Sequence, residues 1–217
     1  MAKIQTDSKH WKFVGGSLCL DFVNTVGGRA DSGTLLRDKL TSFEDLLEWS
    51  KLADVTNRRE SGDLARHAAS HPEDAETTLE RAVRLREALY KILQATLKGR
   101  RTRPADLDTL GAELQVARAH QHLAPTGRAF GWIFEHSEPA LDRILWPVSL
   151  SAAEVLTSGD LSRLRQCGGS ECGWLFLDTS RNRSRQWCDM KDCGNRAKVR
   201  RFRKRQQRSH RPRRSAR

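Results

Sequence analysis

The sequence predicts a mainly α-helical protein with small β elements, an α+β fold in which a helical N-terminal domain precedes a small treble-clef-like zinc finger. Three observations support this prediction. Amphipathic helical periodicity recurs through the first three quarters of the chain, four cysteines cluster after it, and dense positive charge follows them. At 217 residues, the chain suits one larger domain with a small appendage. We therefore expect a helical domain over 1–160, a zinc finger over 161–208 and a disordered basic tail over 209–217.

The first predicted helix lies within residues 17–28 (SLCLDFVNTVGG), where Ser17 can cap its N-terminus. Apolar residues of this segment share one helical face, but some of them also alternate, so a strand is the alternative. The second predicted helix covers 42–54. Ser42 and Asp45 stand there three residues apart, as in a capping box, and an amphipathic pattern follows.

The clearest helical pattern runs over residues 75–98 and carries one broad apolar stripe. Arg86 interrupts the stripe, and a buried guanidinium needs a carboxylate or several carbonyl groups around it. Asp21, which lies in an apolar segment, is the predicted partner; the alternative is that Arg86 extends to the surface between helices. Asp21, Asn24 and Arg86 are also the candidate polar residues of a ligand pocket or partner surface.

Three further elements complete the predicted N-terminal domain. Residues 105–119 are helical in pattern. Residues 121–135 are typical of a β-hairpin, because aromatic residues alternate after a Pro-Thr-Gly turn. Residues 138–158 are helical again, but Pro147 predicts a kink or a division into two short helices.

The four clustered cysteines have the spacing C-x4-C-x15-C-x4-C, which suits a tetrahedral zinc site built from two knuckles. Four thiolates leave no coordination position for water, so one structural zinc ion is expected rather than a catalytic one. The predicted ligands are Cys167, Cys172, Cys188 and Cys193.

The finger is expected to begin with an entry strand over 161–167. A hairpin of strands 173–178 and 185–188 follows, and then a helix that starts near Cys193. A core this small cannot stabilise about 45 residues, so the metal must contribute to folding. The predicted core residues are Trp174, Phe176, Trp187, Val199 and Phe202.

The positive charge is concentrated at one end of the chain. The chain has 39 Lys and Arg against 27 Asp and Glu, and twelve of the basic residues but no acidic ones lie in 196–217. The whole formal net charge of +12 therefore belongs to these residues. A neutral body with a strongly basic end is typical of a protein that binds a polyanion.

The basic residues after the last cysteine are expected to contact phosphates from two flanks of a helix, and a second basic patch precedes it on the finger hairpin. For Asn195 and Arg196 two roles remain open, reading of base edges or support of the zinc site. The predicted nucleic-acid contacts are Arg196, Lys198, Arg200, Arg201, Arg203, Lys204, Arg205 and Arg208, with Arg181, Arg183 and Arg185 on the hairpin.

The string CDMKDCGNRAKVRRFRKR resembles the signature of the CGNR zinc-finger family, with CGNR at 193–196. The segments 15–29, 84–90 and 145–156 resemble the ABATE domain that precedes this finger in bacterial proteins. Members of the family are described as stress-induced transcription regulators. The resemblance covers nearly the whole chain and implies a bacterial regulator that binds DNA.

We therefore expect a nucleic-acid-binding protein, favouring DNA over RNA, whose N-terminal domain senses a small-molecule ligand or forms a homodimer. The alternative is an RNA-binding or ribosome-associated protein. An enzyme is not expected, because no Gly-rich phosphate loop, GxSxG or HExxH motif is present. The sequence has no apolar signal region or membrane span, so a cytoplasmic place is expected, compatible with the nucleoid.

Overall fold

The structure is a computed structural model that describes residues 11–29, 37–134 and 140–209. Apart from Ser209, the predicted basic tail lies outside the described residues. The helices are α1 (Leu18–Val23), α2 (Phe43–Leu52), α3 (Arg58–Ser70), α4 (Pro72–Leu97), α5 (Pro104–Ala119), α6 (Leu145–Thr157) and α7 (Asn195–Ser209). In the described part of the chain, three antiparallel pairs join β1 (Val26–Gly27) to β2 (Arg37–Asp38), β3 (Gln121–Thr126) to β4 (Ala129–Phe134), and β5 (Leu164–Gln166) to β6 (Leu175–Leu177). The predicted α+β class is confirmed.

Local capping explains where two of the body helices begin. In α2 the Ser42 side chain and the Asp45 side chain cap each other's backbone N–H groups, as predicted. The same arrangement of Asn57 and Glu60 opens α3, a helix that the apolar pattern did not predict. The first helix is α1 rather than a strand, and its apolar side chains are buried.

The long helix α4 forms the centre of the body and packs against the first, second, third and fifth helices. Its apolar stripe is buried, and so is Arg86, which is 1% exposed. Pro147 does not divide its helix, so the prediction of two short helices separated there is wrong. It lies in the first turn of α6, where the missing N–H has no helical acceptor to lose, and a 3₁₀ turn over Leu141–Ile144 precedes it.

The predicted hairpin is present as β3 and β4, with Leu123 opposite Trp132 and Pro125 opposite Phe130. Phe134, at its base, packs against Trp146 of α6. Towards the tip the apolar side chains are in contact with solvent, and Trp132 is 63% exposed. The hairpin therefore presents an apolar face instead of adding to the core.

In the finger, the strand pairing differs from the prediction. The entry strand β5 pairs directly with β6, and the first knuckle forms the connection between them. Residues 185–188 form no strand; their link to the knuckle is the Gly168 N–H, which donates to the Gln186 carbonyl at 2.9 Å. The first two cysteines lie in this tight connection. Strand β6 therefore pairs with β5, which precedes it, and not with residues 185–188, as the predicted hairpin required.

Strand β6 lies between two apolar clusters. Leu175 and Leu177 pack into the main core of the body, whereas Phe176, on the opposite face, packs with the four cysteines. Leu164 of β5 also belongs to the body core. The body and the finger therefore share a strand pair rather than meeting as two separate globules.

Hydrogen bonds from side chains and from the backbone complete this junction. The Asn24 side chain donates to the Leu175 carbonyl at 2.8 Å and accepts from the Leu175 N–H at 2.9 Å, as a neighbouring strand would. The Trp174 indole donates to the Val26 carbonyl, and the Leu177 N–H donates to the Gly15 carbonyl, both at 2.8 Å. The N-terminal segment thus serves as an additional partner for β6.

None of the helices in the part of the chain that the structure describes has both the length and the apolar character needed to cross a bilayer.

The Asn24 contact leads to a stability prediction. Asn24→Ala leaves the buried N–H and carbonyl of Leu175 without partners, so we expect the zinc-loaded protein to lose about 2–4 kcal/mol of unfolding free energy. Urea unfolding followed by tryptophan fluorescence measures this loss. The control is Asn182→Ala at an exposed position. Equal stability of the two variants would contradict the role assigned to Asn24.

Candidate metal centre and nucleic-acid interface

The predicted metal ligands converge in the finger. The sulfur atoms of Cys167, Cys172, Cys188 and Cys193 all lie within 4.8 Å of one another, and all four residues are buried. The Sγ atom of Cys188 lies 3.6 Å from that of Cys172 and 3.7 Å from that of Cys193. Zinc about 2.3 Å from each of four tetrahedral sulfurs would hold them about 3.8 Å apart. The cluster therefore has the size of a tetrathiolate zinc site.

The knuckle backbone supports the sulfurs. The Cys188 N–H donates to the Cys167 sulfur at 3.3 Å, which favours the thiolate form that a metal requires. A side chain at Gly169 would lie 3.3 Å from the Cys193 sulfur and 3.1 Å from the Cys172 Cβ, so this position leaves little room beyond glycine. Within the cluster, hydrogen bonds from Cys172 and Cys188 lower the pKa of Cys167.

The last ligand is directly continuous with the basic helix. Cys193 lies in a π-helical turn over Met190–Gly194, and α7 begins at the next residue. The Arg196 guanidinium donates to the Cys193 sulfur at 3.2 Å, and it also forms an ion pair with Asp192 at 3.1 Å. The hydrogen bond to the sulfur raises the pKa of Arg196. Of the two roles left open for Arg196, the structure shows support of the metal ligand.

The predicted phosphate contacts of α7 are solvent-exposed. The exposed cations are Arg196, Lys198, Arg200, Arg201, Arg203, Lys204 and Arg205. The side chain of Arg208 lies outside the described residues. A groove of about 470 Å³ follows one side of the helix, between Asn195 and Gln207. Arg200 also donates to the Ser170 hydroxyl at 2.5 Å, which ties the helix to the first knuckle.

Two of the predicted core residues of the finger are not in its core. Val199 is 43% exposed and Phe202 is 61% exposed, whereas Phe176 is fully buried and Trp174 and Trp187 are half-buried. Among the α7 side chains that the structure describes, the one that packs inward is Ala197. The prediction failed because the helix leaves the finger after its first turn, and what was taken for a packing face lies between the cationic flanks.

The second basic patch predicted in the finger, formed by Arg181, Arg183 and Arg185, is only partly exposed. Arg181 and Arg183 are exposed, but Arg185 turns inward. It donates to the carbonyls of Val14 and Cys188 at 2.9 and 2.5 Å, and its guanidinium lies 4.2 Å from the centre of the Phe176 ring. Arg185 thus holds the N-terminal segment on the finger instead of offering its charge to a polyanion.

Comparison with known families agrees with this architecture. The family model ABATE, described as "Putative stress-induced transcription regulator", matches residues 16–159. The chain belongs to the ABATE family. The CGNR zinc finger model matches residues 163–206. No curated protein matches the chain.

The CGNR match and the sulfur geometry together define the cofactor. The four cysteines hold one structural zinc ion, as predicted. With all four ligands supplied by the protein, the coordination sphere is closed. The role of this centre is to fix the start of α7 against the knuckles, and through β6 against the ABATE domain.

The three polar residues predicted to form an ABATE pocket have separate roles. The partner of Arg86 is Asp38 and not Asp21, which corrects that prediction: the guanidinium bonds to both Asp38 oxygens at 2.7 and 2.6 Å. Asn24 holds β6, as described above. Asp21 accepts a hydrogen bond from the Gly15 N–H at 2.8 Å, and burial raises the pKa of its carboxyl to about 6. The three side chains are used in packing the domain and joining it to the finger.

Sequence reasoning missed a network of ion pairs around the buried side chains of two arginines, Arg29 and Arg86. Arg29 forms a two-pronged bond with Glu87 and lies over the Tyr90 ring, 4.2 Å from its centre. Glu87 also accepts from Arg86, at 3.2 Å. The signal was available, since these residues belong to the segments 15–29 and 84–90 that carry the ABATE resemblance. Their pairing across the fold was not visible in either segment alone.

Because β6 belongs to both cores, we expect loss of zinc to affect the ABATE domain as well as the finger. Cys193→Ser should remove the metal and also loosen the ABATE domain, because Leu175 and Leu177 anchor its core. We expect loss of the near-UV circular dichroism of buried Trp49 and Trp146 together with the metal. The control, Cys19→Ala, removes a buried cysteine outside the cluster and should retain one zinc per chain. An unchanged near-UV spectrum in the metal-free Cys193→Ser variant would contradict the coupling.

Proposed function

We propose that the protein is a bacterial transcription regulator that binds duplex DNA through α7. The observation that supports this most strongly is the helix itself: seven described cations are exposed on an element that contains no Asp or Glu. A zinc-anchored turn fixes its first residue. Cations held on a rigid helix can neutralise phosphates in a fixed register, which a solvated tail cannot do.

The exposed apolar residues favour insertion of the helix into a groove. Val199 and Phe202 are three residues apart, so they lie on the same side of α7, between flanking arginines and lysines. In the major groove of B-DNA, flanking cations would reach the phosphates while apolar side chains would meet thymine methyl groups. Phe202 is therefore the proposed base-contacting residue, and Asn195 is a further candidate at the start of the same groove.

DNA is favoured over RNA by the dimensions of the grooves. An α-helix fits the B-form major groove, which is about 12 Å wide, whereas the A-form major groove is too narrow for one. RNA binding remains the alternative, since Phe202 and the arginines could also stack on unpaired bases. In either case we propose that the protein acts by binding rather than by catalysis, and that it works in the cytoplasm near the nucleoid.

We also propose that the β3–β4 hairpin joins two copies of the chain. Its apolar face includes Leu123, Phe130 and Trp132, and Arg128 at the turn is the only charged residue of 121–134. An uncharged face can pair with its own copy without repulsion, whereas it offers nothing to a polyanion. A dimer would present two α7 helices, as two DNA half-sites require.

The DNA proposal is tested by selecting zinc-loaded protein against a randomised duplex pool at physiological salt. We expect an enriched motif. Arg203→Gln/Lys204→Gln should then lower the magnitude of the log–log salt slope by roughly 2, since each lost phosphate contact contributes about 0.9. Arg58→Gln/Arg59→Gln on α3, also exposed, is the matched control. Binding that is unaffected by the α7 substitutions would contradict the proposal, and tighter binding to a single-stranded RNA pool would establish the alternative.

Phe202 has a separate test. Replacing the thymines of the enriched motif by deoxyuridine removes only their methyl groups. This should weaken binding by the natural protein but have little effect on Phe202→Ala, while the salt slope stays the same in both. An equal loss of affinity in the two proteins would show that Phe202 does not contact thymine.

The dimer proposal predicts that Trp132→Lys gives a monomer. A lysine at the centre of the self-facing patch would place like charges opposite each other. Multi-angle light scattering after gel filtration gives the mass, and Leu52→Lys, at another exposed apolar position, is the control. A natural protein that is monomeric at tens of micromolar would contradict the proposal.

A further inference from the structure

A cleft of about 290 Å³ opens between the ABATE domain and the finger. Its walls come from three parts of the chain: the N-terminal segment, the β1–β2 pair, and the finger around its second knuckle. Four cations line it. They are Lys12, Arg37, Lys39 and Arg196.

The acidic and basic residues at β2 lie on opposite faces, because side chains alternate along a strand. Asp38 points inward to the buried Arg86, so Arg37 and Lys39 lie on the opposite, outer side. Lys39 lies over two indole rings, 5.5 Å from the centre of Trp11 and 5.7 Å from that of Trp174. The strand thus holds two cations at the cleft, one of them fixed between aromatic side chains.

The negative groups that line the cleft already have partners. Among the described residues that line it, Asp192 is the only carboxylate, and it pairs with Lys12 at 2.9 Å and with Arg196 at 3.1 Å. The zinc-binding thiolates form the inner end, and they count against an anion there. At the outer end, no carboxylate in the described part of the chain forms an ion pair with the exposed Arg37.

The electrostatics of Lys39 agree with this assignment. Burial lowers its pKa, and repulsion from Lys12 and Arg37 lowers it further. The cations of the cleft therefore raise each other's energy, and a bound anion would relieve that cost.

We propose that the outer part of this cleft binds the phosphate group of an anionic ligand, between Arg37, Lys39 and Arg196. Two guanidinium groups match the paired oxygens of phosphate, and the lysine supplies a third positive contact. Gly27 and Gly28 form a wall without side chains, and Gly28 has the positive φ of 87° that favours glycine. The phosphate belongs to a small phosphorylated molecule or to the backbone of the nucleic acid on α7. The second case rests on the proposed function.

In the experiment, inorganic pyrophosphate is titrated into full-length, zinc-loaded protein at low salt, and isothermal titration calorimetry measures its binding. Arg37→Gln is the test variant, because this side chain is exposed and its loss should leave the fold intact. Arg58→Gln, an exposed arginine distant in sequence from the cleft, is the matched control. We expect one saturable site, weakened at least tenfold by Arg37→Gln and unchanged by Arg58→Gln. The same variants are then titrated with duplex DNA over a range of salt.

The two titrations separate the sources of the phosphate. Pyrophosphate binding that depends on Arg37, with unchanged DNA affinity, assigns the cleft to a small ligand. A DNA salt slope lowered by about 0.9 in Arg37→Gln assigns it to the nucleic-acid backbone. If Arg37→Gln matches Arg58→Gln in both titrations, the proposal is wrong, including the case in which pyrophosphate binds elsewhere. The α7 substitutions test DNA binding independently, so failure of the cleft leaves that proposal standing.

Discussion

The strand β6 is the element on which the rest of the structure depends. Leu175 and Leu177 complete the core of the ABATE domain on one face, and Phe176 completes the zinc cluster on the other. A strand has two faces, so three consecutive residues are enough to bind two cores together. The Asn24 amide and the carbonyl of Gly15 supply hydrogen bonds to the same strand. The finger is consequently a part of the body that the metal stabilises rather than a module attached to it.

The body and α7 differ in how their positive charges are balanced. In the body, several arginines form ion pairs within the fold, as in the contacts of Arg81 with Glu113, Arg86 with Asp38 and Arg143 with Glu60. In α7, by contrast, Arg196 forms an ion pair with Asp192, while the cations beyond it on the helix have no acidic residue within the helix. With twelve of the 39 basic residues in 196–217, the rest of the chain has 27 basic and 27 acidic residues, so its formal charge is zero. The long-range field therefore arises from the basic C-terminal end.

Local signals predicted most of the elements, and long-range packing accounts for what they missed. The Ser42 capping box, the α4 periodicity, the hairpin turn and the cysteine spacing are each contained within a short window. Arg86 shows the limit of such signals. The 3.6-residue period placed it in the apolar stripe but left open whether it was buried or reached the surface, and its partner Asp38 lies 48 residues away on a two-residue strand that no pattern marks. Val199 and Phe202 show another limit, since periodicity identifies an apolar face and not what lies opposite it.

Contacts run from the ABATE domain through β6 and the knuckles to the start of α7. A structural change in the domain can therefore alter the position of the helix. The helix follows the π-helical turn that Asp189 caps and that contains Asp192. Lys12 forms ion pairs with both carboxylates, and Arg196 contacts a zinc ligand. Lys12 belongs to the N-terminal segment, which lies along β6. A change in the ABATE core that moved β6 would therefore alter the knuckles and the first turn of α7 together, because packed interiors shift as units instead of deforming locally. The ABATE domain can therefore affect how α7 is presented without contacting whatever α7 binds.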